Sequence, residues 1–130
     1  MSDLYPTYIV DDEPQVRSAI CFMLVAAGAE ARSFASGPEF LATLPDLSPG
    51  CVLADVRMPG QDGLELLREV RANGVEWPVL MMTGHGDASI AAKTMQAGAL
   101  DLLQKPFDEE LLLTCLKNAT TFLDGLLSAA

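Results

Sequence analysis

Short apolar runs alternate with amphipathic stretches five times along the 130 residues of the chain. This alternation predicts strand–helix pairs, which form a parallel sheet with right-handed crossovers and helices on both of its faces. We therefore predict a three-layer α/β fold, with one domain over residues 1–130 and no internal boundary. The predicted strands are Thr7–Val10, Glu30–Phe34 with a modest signal, Cys51–Ala54, Val79–Met82 and Leu100–Gln104.

Residues that start or stop helices mark the five predicted helices. Pro14 starts the first, because proline is tolerated in the first turn, and Gly28 ends it. Ser36 and Glu39 stand at capping-box spacing in front of a short second helix. The other predicted boundaries are Asp62-Gly63 and Asn73-Gly74 for the third helix, Asp87 as cap and Gly98 as end of the fourth, and Pro106 with Asp108 at the start of the last.

The overall charge of the chain narrows its possible partners. Its 18 acidic residues against 8 Lys and Arg leave a net charge of −10, which disfavours direct binding to nucleic acid or to an anionic membrane surface.

Cys21, Cys51 and Cys115 lie within apolar patterns without paired spacing, which is typical of reduced core cysteines. Because the sequence also shows no signal-peptide or membrane-spanning pattern, we predict a cytoplasmic protein.

Polar side chains stand where the apolar runs stop. Asp11 and Asp12 follow the first predicted strand, and Asp55 follows the third. Thr83 follows the fourth strand and Lys105 the fifth. The carboxyl ends of strands in an open parallel sheet line the crevice that binds ligands, so we expect these side chains to meet there. For Asp55 alone, an ordinary turn residue is an equally good interpretation, and the other strand ends favour a site.

The chemistry of this group of side chains points to phosphoryl transfer. The carboxylates of Asp11, Asp12 and Asp55 would repel one another unless a cation bridges them. Oxygen ligands suit a hard cation, and Mg²⁺ (or Mn²⁺) is usually held by one or two carboxylates together with a phosphate. Lys105 offers a positive charge and Thr83 a hydroxyl donor to the oxygens of a phosphoryl group. We therefore predict a phosphoryl-transfer site with Asp55 as nucleophile.

The motifs at the strand ends resemble the receiver domain of two-component response regulators, in order and spacing, over nearly the whole chain. They are Asp11-Asp12, Asp55-Val56-Arg57-Met58-Pro59-Gly60, Thr83-Gly84 and Lys105-Pro106-Phe107. A further set is most similar to the nitrogen-fixation-type regulators, which often carry a helix-turn-helix effector. It consists of Val56-Arg57-Met58-Pro59, Met82-Thr83-Gly84-His85-Gly86-Asp87 and Gly98-Ala99.

The resemblance implies a flavodoxin-like (βα)5 fold with strand order 2-1-3-4-5. It implies that Asp55 accepts a phosphoryl group from the phosphohistidine of a sensor kinase. Asp12, Asp55 and the backbone carbonyl of Arg57 would contact the metal directly, with Asp11 acting through water. The chain would then be a signalling receiver and not an enzyme with a separate substrate.

Two further residues take roles from the resemblance. Thr83 and Lys105 would bind the oxygens of the phosphoryl group. The Lys105–Pro106 peptide bond is expected to be cis, although only about 5–6% of such bonds are cis in general.

Leu102 departs from the family pattern, in which the strand-five residue of the switch is aromatic. A leucine has no ring to expose and no hydroxyl to bury when Thr83 moves toward a phosphoryl group. We therefore predict that the loop from Gly84 to Asp87 and the following helix carry most of the switch. His85 lies in this loop, and the resemblance implies that its side chain influences the rate of dephosphorylation. The alternative interpretation is an ordinary solvated histidine.

The last helix carries leucines at coiled-coil spacing. The seam consists of Leu112, Leu116, Ala119, Leu123 and Leu126, and Leu111, Leu113, Phe122 and Leu127 widen the apolar surface. Packing on the sheet explains the first half of this pattern better than the second. We predict self-association or an effector contact through the last two helices and strand five, with Met95 and Leu102 as neighbours. An effector domain would follow residues of about 122–130.

Three other functions share parts of the pattern. A small aspartyl-nucleophile phosphatase needs a second acid two residues after the nucleophile, where this chain has Arg57. A flavin carrier of the same fold needs hydroxyls and glycine in its first loop, whereas Asp11-Asp12-Glu13 would repel a phosphate. The third is a docking module that is never phosphorylated, and the complete set of acid, hydroxyl and lysine argues against it.

Overall fold

The computed structural model describes residues 4–129, in which five parallel strands form one sheet. The strands are β1 (Thr7–Val10), β2 (Ala31–Phe34), β3 (Cys51–Asp55), β4 (Val79–Thr83) and β5 (Asp101–Gln104). The helices are α1 (Pro14–Ala26), α2 (Gly37–Thr43), α3 (Gly63–Ala72), α4 (Ala88–Gln96) and α5 (Glu109–Ser128), and a 3-10 helix spans Leu44–Asp46. The strand order is β2-β1-β3-β4-β5, which confirms the predicted flavodoxin-like fold.

Two hydrophobic cores cover the two faces of the sheet, because successive residues of a strand point to opposite sides. One core joins α2 and α3 to the sheet through Phe40, Leu66 and Leu67. The other joins α1 and α5 to it through Leu24 and Leu112. Every residue of β1, β3 and β4 is buried, as expected for parallel strands that are covered on both faces.

Most of the predicted boundaries are confirmed to within one residue. α1 begins at Pro14, and Gly28 follows it in the left-handed conformation with φ +82°. The Ser36 hydroxyl accepts a hydrogen bond from the Glu39 amide, 3.2 Å away, at the start of α2. The start of α5 differs from the prediction, because Asp108 caps this helix and Pro106 lies outside it. The Lys105–Pro106 peptide bond is cis, as expected.

The predicted cap of α4 is wrong. Asp87 occupies the N-cap position, but its side chain makes no capping hydrogen bond to the helix. Its carboxylate accepts instead from the backbone amide of Gly84 and from the guanidinium of Arg57. A charged partner from another loop thus outweighs the local preference of Asp for the helix end.

The leucine seam of α5 belongs mostly to the core. Leu112, Leu116, Ala119 and Leu123 are between 0% and 2% exposed, and the first three belong to the core that α5 shares with the sheet and α1. Leu111, Phe122 and Leu127 are 42–45% exposed on the outer side of the helix. The buried side of α5 therefore extends further along the helix than the sequence indicated.

The structure also tests the predicted state of the cysteines and the expected absence of a membrane-spanning helix. Cys21, Cys51 and Cys115 are free thiols, and Cys51 and Cys115 are buried in the core, as predicted. Within residues 4–129, no helix combines the length and the apolar character that crossing a membrane requires.

Candidate functional site

The predicted site residues lie together at the carboxyl ends of β1, β3, β4 and β5. Asp11 and Asp55 are 0% and 7% exposed, whereas Asp12 is exposed to solvent. One carboxylate oxygen from each of these three residues lies within 4.8 Å of the other two. Three negative groups this close in a partly buried site favour a bound cation.

Lys105 forms the second part of the site. Its Nζ donates hydrogen bonds to Asp55 Oδ2, at 2.7 Å, and to Asp11 Oδ2, at 3.0 Å. The Lys105 side chain is 23% exposed, so the ammonium is partly sheltered while both of its acid partners are buried. The short segment after β5 thus reaches Asp11, which follows β1, and Asp55, which ends β3.

Backbone amides hold the other oxygen of each buried carboxylate. The amide of Arg57 donates to Asp55 Oδ1 at 3.0 Å, and the amide of Glu13 donates to Asp11 Oδ1 at 2.9 Å. Each acid therefore bonds the backbone two residues further on, as Asp commonly does in turns. This pairing fixes the orientation of both carboxylates and leaves Oδ2 of each for Lys105 or for a ligand.

The electrostatics of the pair follow from burial and hydrogen bonding. Burial raises the pKa of the Asp55 carboxyl, and the charge of Asp11 adds to this rise, against hydrogen bonds from Lys105 and the Arg57 amide that lower it. Burial alone would lower the pKa of Lys105, but its hydrogen bonds to Asp55 and Asp11 raise the pKa overall. The lysine therefore remains an ammonium at neutral pH.

The donor set fits a hard divalent cation. The cluster of Asp11, Asp12 and Asp55 presents carboxylate oxygens only, and three negative charges exceed the single positive charge of Lys105. Mg²⁺ prefers such ligands and keeps several waters, which the exposed carboxylate of Asp12 allows. The hydrogen bond from the Arg57 amide to Asp55 brings the backbone of residue 57 to the same place. The predicted role of the Arg57 carbonyl as a metal ligand stays a prediction.

Thr83 lies at the end of β4, next to β3 and Asp55. Asp55 pairs in register with Met82, so Thr83 is one residue further along the neighbouring strand. Thr83 is 8% exposed, and among the residues that the structure describes its hydroxyl has no hydrogen-bond partner. Its carbonyl accepts from the Lys105 amide at 2.7 Å, which joins β4 to the segment that carries the lysine.

Leu102 and Thr83 line one groove between α4 and β5. The groove has a volume of about 440 Å³, and Ala91, His85 and Gln104 also line it. Leu102 is half-buried there and His85 is exposed. The structure thus places the predicted switch residues on the same groove, and it gives His85 the surroundings of a solvated loop residue.

The sequence did not reveal the ion pair between Arg57 and Asp87. The Arg57 Nε donates to Asp87 Oδ1, and its Nη2 donates to the Gly86 carbonyl at 3.3 Å. The amide of Gly84 donates to Asp87 Oδ2 at 2.7 Å. Burial would raise the pKa of Asp87, but the Arg57 guanidinium and the Gly84 amide lower it overall. The loops after β3 and β4 are thereby joined.

Arg17 is a second residue that the sequence did not single out. Its Nη1 donates to the backbone carbonyl of Asp11 at 2.7 Å, from the second turn of α1. It therefore braces the turn that carries both Asp11 and Asp12. Nothing in its position on α1 distinguishes it from an ordinary surface arginine.

Comparisons with known proteins agree with this arrangement. Residues 7–117 match the family model described as the response regulator receiver domain. The chain is 44% identical over 112 residues to the transcriptional regulatory protein FixJ of Bradyrhizobium diazoefficiens, a match that covers 86% of this chain and 55% of that protein. Full-length FixJ from B. japonicum is similar with a TM-score of 0.90 and 40% identity, over 95% of this chain and 61% of that one.

A shorter structure matches along nearly its whole length. The crystal structure of FixJ-N is similar with a TM-score of 0.87 and 38% identity, over 93% of this chain and 96% of that chain. The chain spans little more than half the length of the full-length FixJ proteins that it matches. The chain therefore belongs to the family of response regulator receiver domains, and it is similar to the receivers of FixJ regulators.

Proposed function

We propose that the chain accepts a phosphoryl group on Asp55 from the phosphohistidine of a sensor kinase, in a reaction that depends on Mg²⁺ or Mn²⁺. The observation that carries this proposal is that the Lys105 ammonium donates hydrogen bonds to both Asp55 and Asp11, inside a cluster of three carboxylates. The same geometry fits a reversible covalent switch, because the nucleophile, a cation and an acidic metal site adjoin one another.

Asp55 attacks phosphorus through the oxygen that the backbone leaves available. Oδ1 is held by the Arg57 amide, so Oδ2 forms the new bond to phosphorus. The phosphorus–nitrogen bond of the phosphohistidine breaks at the same time, and its electron pair stays on the imidazole nitrogen. Positioning and charge neutralisation account for most of the catalysis in such displacements.

The remaining side chains stabilise the transferred group. Lys105 is already within 2.7 Å of the attacking oxygen and would follow the phosphoryl oxygens as an ammonium donor. Thr83 has a hydroxyl that is available for the same group. Asp11, Asp12 and Asp55 would hold Mg²⁺, which when bound neutralises charge on the phosphoryl oxygens.

The names of the relatives and the net charge of the chain support a proposal for what this receiver controls. The FixJ relatives are named as transcriptional regulatory proteins, so we propose a cytoplasmic receiver that controls transcription. The net charge of −10 makes direct binding of nucleic acid by this chain unfavourable. An effector domain, where one accompanies this receiver, would follow the end of α5, which comprises residues of about 122–130.

The partner surface is the second half of this proposal. Met95 on α4 is 41% exposed, Leu111 on α5 is 44% exposed, and Leu102 on β5 is half-buried. We propose that these elements form the contact between two phosphorylated copies. Size-exclusion chromatography before and after phosphorylation tests this, and an unchanged elution volume would contradict it.

The acceptor is tested by intact mass after incubation with Mg²⁺ and phosphoramidate. We expect a gain of one phosphoryl group, its complete loss in Asp55→Asn, and its dependence on Mg²⁺. Asp46→Asn is the matched control, because Asp46 is an exposed acid in the 3-10 helix. Labelling that survives in Asp55→Asn would refute the assignment. Steady turnover of unrelated phosphate esters would instead support the phosphatase.

A further inference from the structure

The Gly84 amide stands next to the acceptor site, yet another group already occupies it. Gly84 follows Thr83 at the end of β4, and the strand register places this end beside Asp55. Its N–H donates to Asp87 Oδ2 at 2.7 Å. A backbone amide at this position is a natural donor for a phosphoryl oxygen. The carboxylate of Asp87 therefore holds a donor that the phosphoryl group would use.

Arg57 is the second donor that Asp87 holds. Its amide is bound to Asp55 Oδ1, so its backbone lies directly beside the acceptor. Its guanidinium pairs with Asp87 Oδ1, although the Arg57 side chain is 64% exposed and could turn to another anion. The Asp87 side chain, in contrast, is only 7% exposed. Both oxygens of one buried carboxylate are thus bound to groups that flank the acceptor.

The third observation is the uncapped start of α4. The residues that cap α2, α3 and α5 all have extended backbone, with ψ of 160°, 175° and 171°, and each side chain accepts an amide of its own helix. Asp87 has ψ of 5°, caps nothing, and no acid stands in the first turn of α4. The first amides of α4 therefore lack the side-chain acceptor that Asp87 would provide elsewhere.

We propose that Asp87 is a positioning residue that stands in for the phosphoryl group in the unphosphorylated receiver. Phosphorylation of Asp55 displaces its carboxylate from Gly84 and Arg57, and the released carboxylate then caps α4. A phosphoryl group carries more negative charge than one carboxylate and offers three acceptor oxygens, so it competes well for the same donors. This inference rests on the proposed phosphorylation of Asp55, and it gives the loop from Gly84 to Asp87 a defined role in the switch.

Two substitutions separate the two roles of Asp87. Asp87→Asn removes the charge that competes for the donors, but asparagine still caps helices well. Asp87→Ala removes both the competing charge and the cap. Both variants should therefore react with phosphoramidate faster than the natural protein, by roughly three- to ten-fold. Asp46→Asn should leave the rate unchanged.

The cap is followed by hydrogen exchange at the amides of Ser89 and Ile90, with beryllofluoride as an unreactive mimic of the phosphoryl group. These amides should exchange more slowly after beryllofluoride is added to the natural protein and to Asp87→Asn. In Asp87→Ala the protection should not appear. Thermal melts of each variant establish that it is folded before its rate is compared.

The outcomes distinguish this inference from the proposed function. Equal or slower phosphorylation in Asp87→Asn, or protection of the α4 amides that persists in Asp87→Ala, would overturn the role of Asp87. Asp55 would remain the acceptor in that case. Failure of the natural protein to take up any phosphoryl group would instead refute the proposed function itself.

Discussion

Replacing Lys105 by methionine tests the electrostatic account of the site without any phosphoryl donor. Methionine keeps the length of the aliphatic stem and removes the ammonium that lies 2.7 Å from Asp55 and 3.0 Å from Asp11. The two acids, 9% and 0% exposed as side chains, then lose their shared partner and repel each other. We therefore expect the folded state to be destabilised.

The size of the effect follows from burial. Removing one partner of a fully buried ion pair costs about 3–5 kcal/mol, and we reduce this to about 2–3 kcal/mol because solvent reaches Lys105. The Lys105 side chain is 23% exposed, which is the basis for this reduction. In a domain of this length each kcal/mol lowers the midpoint by roughly 3–5 °C, so we expect a loss of about 10 °C.

Mg²⁺ and pH should both reverse part of the loss. The ion and Lys105 share the same carboxylates, so the variant should bind Mg²⁺ more tightly and gain more stability from it, about 1.4 kcal/mol at ten times the dissociation constant. Without the ammonium, the pKa of Asp55 rises further above its unfolded value. Protonation then stabilises the folded variant, so the loss should shrink from pH 8 to pH 5.

The assay is thermal unfolding followed by circular dichroism, with and without Mg²⁺, at three pH values. Lys117→Met is the matched control, because Lys117 is exposed on α5 and has no ion pair among residues 4–129. An unchanged midpoint in Lys105→Met would refute the reasoning. So would a response to Mg²⁺ that is the same in the variant and in the natural protein.

Two further predictions concern the backbone beside Asp55 and the acid range. A Cβ at Gly63 would lie 2.7 Å from the Asp55 carbonyl oxygen, so Gly63→Ala should lower the free energy of unfolding by about 1–3 kcal/mol, measured by urea unfolding. The same substitution should weaken Mg²⁺ binding, measured by calorimetry. Apart from its chain neighbours and the backbone of its own helix, a Cβ at Gly125 would have no atom within 4 Å. Gly125→Ala should therefore stabilise the protein by about 0.5–1 kcal/mol, and equal effects of the two substitutions would contradict the role of the contact at Gly63. The pKa of Asp87 is lowered in the folded state, so its contribution is present above about pH 4, the ordinary range of Asp, and is lost as the pH falls through the lowered value. The stability difference between the natural protein and Asp87→Asn should therefore be constant from pH 7 to pH 5 and vanish in stronger acid.

The predicted site residues that the structure brings together share one property. Asp11, Asp55, Thr83 and Lys105 each end a strand or follow one directly, and the topology of a parallel sheet brings such positions to one edge. Their convergence therefore follows from the alternation of strands and helices alone. The clustering of the three carboxylates needed no further information, because they stand at the ends of two adjacent strands.

The residues that the sequence missed act across elements, where local pattern carries no signal. Asp87 stands 30 positions from Arg57, and its place before α4 made a helix cap the natural interpretation. Arg17 braces the turn after β1 from a position that periodicity describes only as the outer face of a helix. The sequence could not divide the leucines of α5 between core and surface for a related reason, because their spacing is the same whether a sheet or a helix covers them.

The twin turns at Asp11 and Asp55 have a consequence for communication within the domain. Each acid is anchored through one oxygen to the main chain and shares the same lysine through the other. When a covalent bond takes the shared oxygen of Asp55, the lysine must redistribute its hydrogen bonds between the new group and Asp11. The turn after β1, and through it the start of α1, would then respond to modification of Asp55, 44 positions further along the chain. This response would need no direct contact with the added group.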